Sequence, residues 1–104
     1  MLEISRNNFE AEVIKSDKPV LIDFFAEWCG PCRMLGPVLE KVAAELSSKV
    51  KIGKVNSDND QELAMKYEVA SIPCLVLLKN GVEIDRSVGY RSEADLKNWL
   101  NSKI

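Results

Sequence analysis

The sequence contains no histidine and only three cysteines among its 104 residues. Without histidine, a Cys-His nucleophile pair of the protease kind is impossible, and a haem-attachment motif, which needs a histidine after its second cysteine, is excluded. Three cysteines are also too few, and odd in number, for the disulfide scaffold of a secreted domain. A closed four-ligand zinc or iron-sulfur site would need a carboxylate or a second chain, so we predict no metal site.

The chain also lacks a basic stripe and a long apolar run. Its net charge is -2 and its acids and bases are interspersed, so we expect no nucleic-acid partner. No apolar stretch approaches the length of a membrane span, and residues 1–6 do not resemble a signal peptide, which predicts no membrane association and a cytoplasmic location. A hydrophobic content of 46% suits one core, so we predict a single domain over residues 1–104 and a monomer.

Short strand patterns alternate with helical patterns along the chain. They predict five strands, at Leu2–Ser5, Val20–Ala26, Lys51–Asn56, Pro73–Leu78 and Val82–Val88. They predict four helices: one capped by Ser5, one with an apolar face over Met34–Leu46, one at Gln61–Tyr67 after the capping residues 58–60, and one capped by Ser92. Residues 79–81 predict a tight hairpin turn.

The order βαβαβαββα predicts an α/β domain with a mixed five-stranded sheet flanked by four helices. In this arrangement, strands that are joined through helices run parallel, and the last pair is antiparallel.

The segment Trp28-Cys29-Gly30-Pro31-Cys32 follows an apolar run that is typical of a buried strand. Two thiols separated by two residues can close a disulfide on each other, and such a pair carries two electrons without a bound cofactor. The pair lies at the carboxyl end of a predicted strand, where open α/β sheets place their functional groups. This position favours a redox site, with an inert pair of buried cysteines as the alternative.

In the order and spacing of its motifs, the whole chain resembles the thioredoxin family. The matching features are the stretch 24–32, Pro37 in the following helix, Ile72-Pro73 at the start of a strand, and the turn 79–81 before Val88-Gly89. The resemblance implies the thioredoxin fold and a protein-disulfide reductase whose only redox group is the Cys29–Cys32 disulfide, with no cofactor. It also implies disulfide-containing proteins as substrates and thioredoxin reductase as the partner that returns electrons.

Cys29 is predicted to attack the substrate disulfide and Cys32 to resolve the mixed disulfide. A cysteine at a helix N-terminus is stabilised as a thiolate, and Pro31 fits the first helical turn because no N–H is needed there. We therefore expect Cys29 to be exposed and Cys32, one turn later, to be shielded. Gly30-Pro31 adds no charge to stabilise the thiolate, which favours a reductase over an oxidase or isomerase. An accessory or binding subunit with incidental cysteines is the alternative from another class.

Asp23 is an unusual residue because it interrupts the apolar run of the second predicted strand. A buried carboxylate is costly unless it is neutralised or paired. We interpret Asp23 as the acceptor of the Cys32 proton, directly or through a water, which matches the buried aspartate of the thioredoxin family. The alternative is a solvent-facing residue on an edge strand. Lys54 on the next strand is its candidate partner, and a half-exposed lysine with no such role is the alternative.

The resemblance further implies a docking surface for substrates. From the sequence alone, a trans Ile72–Pro73 bond would be the default, but in thioredoxin-like proteins this proline is cis and faces the cysteine pair. The main chain of Ile72 is then free to pair with an extended substrate segment. The implied surface consists of Trp28, Gly30, Pro31, Ile72, Pro73, Val88 and Gly89. For Trp28, plain core packing is the alternative.

Two residues depart from the commoner family pattern. Cys74 stands where threonine usually follows the proline, and Phe25 stands where some members have tryptophan. We interpret Cys74 as a small buried hydrophobe at the start of a strand. The alternative is a regulatory thiol near the cysteine pair that is oxidised or glutathionylated. Phe25 bears on packing rather than on chemistry.

Overall fold

The strand patterns form one five-stranded sheet in a computed structural model that describes all 104 residues. The strands are β1 (Leu2–Glu3), β2 (Val20–Phe25), β3 (Lys51–Asn56), β4 (Cys74–Lys79) and β5 (Val82–Val88). Their order in the sheet is β1-β3-β2-β4-β5, so β2 is the central strand. The predicted α/β class and the mixed five-stranded sheet are confirmed.

Four helices accompany the sheet, as predicted. They are a short π-helix (Glu10–Ile14), α1 (Gly30–Leu46), α2 (Gln61–Lys66) and α3 (Glu93–Lys103). The side chains of Asp60 and Ser92 cap α2 and α3 by accepting backbone N–H groups three residues later, which confirms both predicted caps. None of the helices combines the length and the apolar character that crossing a membrane requires.

The prediction that Ser5 caps the first helix is wrong. The N–H of Ser5 donates to the side chain of Asn8 at 2.8 Å, and that side chain donates to the carbonyl of Glu3 at 2.9 Å. These bonds close a turn over residues 5–8, which ends β1 at Glu3 and delays the helix to Glu10. Local side-chain hydrogen bonding therefore replaces the expected cap.

The direction of β4 also differs from the prediction. Strands β1, β3 and β2 are parallel, but β4 is antiparallel to β2, and Cys74 lies opposite Phe24. A helix as short as α2 spans about 9 Å, whereas a strand as long as β3 spans about 20 Å. Because α2 does not carry the chain back along the sheet, β4 starts beside the carboxyl end of β2. The helix α1 begins at this same end of the sheet.

Apolar residues pack on both faces of the sheet. One face carries Phe24 and Val76 against the π-helix and α2, and the other carries Leu21 and Leu75 against α1 and α3. Because side chains alternate along a strand, Asp23 shares the face of Leu21. The hairpin turn has the predicted form, since Asn80 and Gly81 both have positive φ, at 53° and 82°.

Candidate active site

Cys29 and Cys32 form a disulfide at the start of α1. Cys29 is the N-cap residue, and its Sγ accepts the backbone N–H of Cys32 at 3.3 Å. Pro31 occupies the first turn, where an N–H would have no partner within the helix. The positive end of the helix therefore points at the sulfur of Cys29, which favours a thiolate there after reduction.

Cys29 is not exposed in this disulfide form, and that prediction is wrong. Both cysteines are 4% exposed. The Sγ of Cys29 lies 3.9 Å from the carbonyl oxygen of Ile72, and Ala26 packs against the pair. The segment before β4 covers the sulfur, an effect that no local pattern around Cys29 reveals. The exposed residue is Trp28, at 69%, so core packing does not describe it.

Asp23 is buried in the central strand without a hydrogen-bond partner on Oδ1. Its exposure is 3%, so the alternative of a solvent-facing edge position is wrong. Burial raises the pKa of Asp23 to about 7, and the positive charge of Lys54 opposes part of that rise. A carboxyl with this pKa exchanges its proton near neutral pH, as a general acid or base must.

Lys54 lies opposite Asp23 in the β2–β3 register, but the two side chains form no ion pair. The Nζ of Lys54 is instead 4.0 Å from Oε1 of Glu3 and 5.5 Å from the centre of the Phe25 ring. The side chain is one-third exposed, with its charged end toward the β1 edge. Its effect on Asp23 is therefore Coulombic, through space, rather than that of a directly bonded partner.

Asp23 and Cys32 both line a cavity of about 640 Å³. The other charged or polar residues that line it include Glu27, Arg33, Glu40, Lys54, Asn56 and Asp60. Since one water takes up about 30 Å³ of liquid volume, the cavity has room for a water bridge between the carboxyl and the sulfur. No group of three or more Cys, Asp or Glu residues has an arrangement suited to a metal ion.

Two features lie beside the disulfide: main-chain groups that have no backbone hydrogen-bond partner, and apolar side chains that are exposed. The Ile72–Pro73 bond is cis, and the N–H of Gly89 donates to the carbonyl of Pro73 at 2.8 Å. The N–H and carbonyl of Ile72 take part in no backbone hydrogen bond. Val88, at 59% exposure, lies beside this segment. These contacts place Ile72, Pro73, Val88 and Gly89 close to the disulfide, and Trp28, Gly30 and Pro31 adjoin it in sequence. We call these seven residues the docking surface, in which Pro73 itself is buried.

Three further residues, Asp58, Met34 and Tyr90, are not assigned to the site by the sequence patterns. The indole Nε1 of Trp28 donates to Oδ2 of Asp58 at 2.9 Å. Met34 and Tyr90 are 63% and 46% exposed, although the helical pattern assigns Met34 to a buried face. The pairing of Trp28 with Asp58 spans thirty residues, so it has no local signal. Tyr90, an aromatic residue directly after Gly89, could have been identified from its position.

Cys74 lies at the start of β4 and is only 1% exposed. It packs in the core with Phe24 and Val76, on the opposite face of the sheet from Asp23. Burial raises the pKa of its thiol, and the nearby charge of Arg86 opposes that rise. A buried thiol with a raised pKa is a poor nucleophile, which supports the packing interpretation. The regulatory role stays a prediction.

Comparison with known proteins gives matches over almost the entire chain. The family model "Thioredoxin" matches residues 1–102. The thioredoxin of Rickettsia bellii is 48% identical over 101 residues, which cover 97% of this chain and 96% of that protein. The thioredoxin of Haemophilus influenzae is 44% identical over 104 residues, which cover 100% of this chain and 97% of that protein. The mitochondrial thioredoxin of Bos taurus is 43% identical over 97 residues, or 93% of this chain and 58% of that protein.

These similarities extend through β1, the cysteine pair, the cis-proline segment and α3, so they do not depend on the short Cys-x-x-Cys motif. The disulfide at the start of α1 supplies the redox group that such an activity requires. The chain therefore belongs to the thioredoxin family and is a thiol-disulfide oxidoreductase that reduces protein disulfides.

Proposed function

We propose that Cys29 is the attacking thiolate and Cys32 the resolving thiol in the reduction of protein disulfides. The observation that carries this assignment is the helix start: Cys29 is the N-cap of α1 and its sulfur accepts the N–H of Cys32. Cys32 lies inside the first turn, so its own sulfur lacks that donor. The more stabilised thiolate is the one that is present to attack at neutral pH.

The proposed reaction has two exchange steps. The thiolate of Cys29 attacks one sulfur of the substrate disulfide, which forms a mixed disulfide and releases the other substrate sulfur as a thiolate. Cys32 then loses its proton and attacks the sulfur of Cys29. This step forms the Cys29–Cys32 disulfide and releases the second substrate thiolate, so two electrons have passed to the substrate. A reductase that delivers two electrons restores the dithiol.

Asp23 is proposed to accept the proton that Cys32 loses in the second step. Support comes from the cavity that both residues line and from the pKa of about 7, at which the carboxylate is a usable base. Lys54 is proposed to modulate Asp23 by keeping its pKa from rising further.

The docking surface is proposed to hold an extended segment of the substrate. The unpaired N–H and carbonyl of Ile72 support main-chain pairing by strand addition, and the exposed Trp28 and Val88 support apolar contact beside it. Main-chain pairing recognises little sequence, so we expect a broad range of disulfide-containing proteins as substrates. A thioredoxin reductase would dock on the same surface, since it must reach the same sulfurs.

Residues 1–104 are proposed to work as one monomeric domain in the cytoplasm, with no cofactor beyond the disulfide. The uncharged Gly30-Pro31 supports the direction of a reductase rather than that of an oxidase or isomerase. Equilibration of the pair against glutathione mixtures, followed by alkylation of the reduced fraction, tests that direction. An isomerase-like potential would contradict it.

Single cysteine variants test the division of roles between the two sulfurs. Cys29→Ser is expected to abolish the reduction of insulin disulfides. Cys32→Ser is expected to stop after the first step and to accumulate a mixed disulfide with the substrate, visible by mass spectrometry. Cys74→Ser is the matched control, since it removes a thiol outside the pair. Insulin reduction that survives in Cys29→Ser would contradict the role of Cys29 as attacking thiolate. A pure binding role, by contrast, would not be affected by this substitution.

The alternative role of Cys74 as a regulatory thiol is tested with the native reduced protein. If Cys74 serves only for packing, a thiol reagent is expected to label Cys29 and to leave Cys74 unlabelled until the chain unfolds. Peroxide sensitivity is then expected to be the same in wild type and Cys74→Ser. Labelling of native Cys74 would favour regulation.

A further inference from the structure

Arg86 on β5 joins two segments that are distant in sequence. Its Nε and Nη2 donate to the two carboxylate oxygens of Glu83, at 2.6 and 2.7 Å. Nη2 also donates to the carbonyl oxygen of Tyr67 at 2.6 Å, and Nη1 donates to that of Glu68 at 3.4 Å. All three guanidinium nitrogens are engaged, and the two-point contact with Glu83 fixes the plane of the group. We call Glu83 and Arg86 the clamp.

The carbonyls that the clamp holds belong to Tyr67, the C-cap of α2, and to Glu68, which follows it. The last carbonyls of a helix lack partners within it, and a cation placed there is favourable. The backbone just beyond this end is strained, because Glu68 has φ 53°, a left-handed conformation that is uncommon for a residue other than glycine or asparagine. Arg86 therefore stabilises the point at which the chain leaves α2 in an unfavourable conformation.

The loop that leaves this point carries the main chain of the docking surface. Residues 67–73 connect α2 with β4. The far end of this loop is held by the bond from the N–H of Gly89 to Pro73, and the near end by backbone bonds from Glu68 and Val69 to α2 and by the clamp. Residues 70–72 make no backbone hydrogen bond of their own. The placement of Ile72 thus depends on the two ends of the loop together with the packing of its side chain against the core and the disulfide.

We propose that the Glu83–Arg86 clamp positions Ile72 for pairing with protein substrates. The inference rests on the proposed function, because it assumes that an extended segment docks at Ile72. Arg86 contacts neither sulfur of the disulfide. The sulfur near it is that of Cys74, which lies 4.0 Å from Nη1 and belongs to the core on the sheet face opposite Asp23. Arg86 is therefore a positioning residue and not a catalytic one.

Two substrates separate positioning from chemistry. Insulin must present a segment of chain to the docking surface, whereas dithionitrobenzoate is a small disulfide that reports the reactivity of the cysteine pair without a docked segment. Arg86→Gln is expected to raise the KM for insulin roughly tenfold, since small displacements of a positioning group have large kinetic effects. Its kcat for insulin and its rate with dithionitrobenzoate are expected to match those of the wild type.

Lys97→Gln is the matched control, because Lys97 on α3 also makes two charged bonds, one to Glu45 of α1 at 3.0 Å and one to Glu93 of its own helix at 3.1 Å. These bonds join α3 to α1 and do not involve the loop 67–73. The substitution is expected to leave both substrates unaffected. Arg86→Lys keeps the charge but cannot reproduce the planar contacts, so it is expected to behave like Arg86→Gln. Full rescue by lysine, a wild-type KM in Arg86→Gln, or equal losses with both substrates would overturn the proposal.

Two further measurements keep the test decisive. Amide hydrogen exchange of residues 69–72 is expected to be faster in Arg86→Gln than in Lys97→Gln, and equal exchange would count against the clamp. If Arg86→Gln does not fold, Glu83→Gln replaces it. This variant is expected to raise the KM for insulin by a smaller factor, and an unchanged KM would count against the proposal. Failure of the proposed function would appear differently, as a wild-type protein that reduces dithionitrobenzoate but not insulin.

Discussion

Two buried aspartates line the same cavity and differ in what surrounds their oxygens. Asp60 is 5% exposed and accepts the N–H of Arg6 at 2.7 Å and that of Leu63 at 3.3 Å. Asp23 is 3% exposed, and its Oδ1 has no partner. Asp60 stands at the start of a helix, where N–H groups are free, whereas Asp23 stands in a sheet whose N–H groups bond to neighbouring strands. A buried carboxyl group that accepts backbone N–H groups serves as a structural cap. A buried carboxyl group without such donors is suited to exchanging a proton.

The largest expected effect is on stability. In the disulfide form at about pH 8, Asp23→Ala is expected to raise the free energy of unfolding by about 2 to 4 kcal/mol, because ionising a carboxyl with a pKa of about 7 opposes folding and the lost packing offsets part of the gain. Chemical denaturation measures the difference. Asp60→Ala is the matched control and is expected to be destabilised. If both substitutions lower stability, the contrast between the two sites is wrong.

The stability gain of Asp23→Ala should depend on pH in one direction. The pKa of Asp23 is raised from 3.8 to about 7, so between these values the folded protein holds a proton that the unfolded chain releases. The free energy of unfolding of the wild type therefore falls as the pH rises from about 3.8 to about 7, and it stops falling for this reason above that window. The advantage of Asp23→Ala is expected to shrink from about pH 8 to about pH 4. A constant advantage would contradict the raised pKa.

The next effect is on turnover. Asp23→Asn is expected to slow the reduction of insulin by roughly a hundredfold at neutral pH, because the amide cannot accept the Cys32 proton. The mixed disulfide should accumulate, and acid quenching with mass spectrometry would detect it. Asp60→Asn lines the same cavity and is expected to turn over normally. Equal slowing in both variants would point to the shape of the cavity instead of a proton acceptor.

A smaller effect is expected at the cap itself. Asp60→Ala removes an oxygen that accepts the N–H of Leu63 in α2 and another that accepts the N–H of Arg6. The free energy of unfolding is expected to fall by about 1 to 2 kcal/mol. Ser92→Ala removes the more exposed cap of α3 and is expected to cost less. A wild-type stability of Asp60→Ala would mean that these bonds contribute nothing net.

The smallest effect is expected from Lys54. Lys54→Met removes a positive charge that lowers the pKa of Asp23, so that pKa is expected to rise further, with less than about a threefold change in turnover. Nuclear magnetic resonance titration of the Asp23 carboxyl measures the pKa. Lys51→Met, on the same strand but bonded to Glu12 at 3.2 Å, is the matched control. An unchanged Asp23 pKa in Lys54→Met would remove Lys54 from the site.

The features that sequence patterns predicted correctly depend on residues close together in the chain. The cysteine pair at a helix start needs only an apolar run, a break and an amphipathic segment. The caps at Asp60 and Ser92 and the hairpin turn at residues 80–81 need a few neighbouring residues. Such features form from backbone geometry and side-chain hydrogen bonds within one turn. The local amino-acid sequence is therefore sufficient to predict them.

The features that required the tertiary structure depend on contacts between distant residues. The short α2 leaves β4 antiparallel to β2, and this direction brings Ile72 over the sulfur of Cys29 and covers it. The same packing leaves Oδ1 of Asp23 without a hydrogen-bond partner and places Nζ of Lys54 near the carboxylate of Glu3. Burial and Coulombic interaction depend on distances in space, and those distances exist only after the strands have assembled.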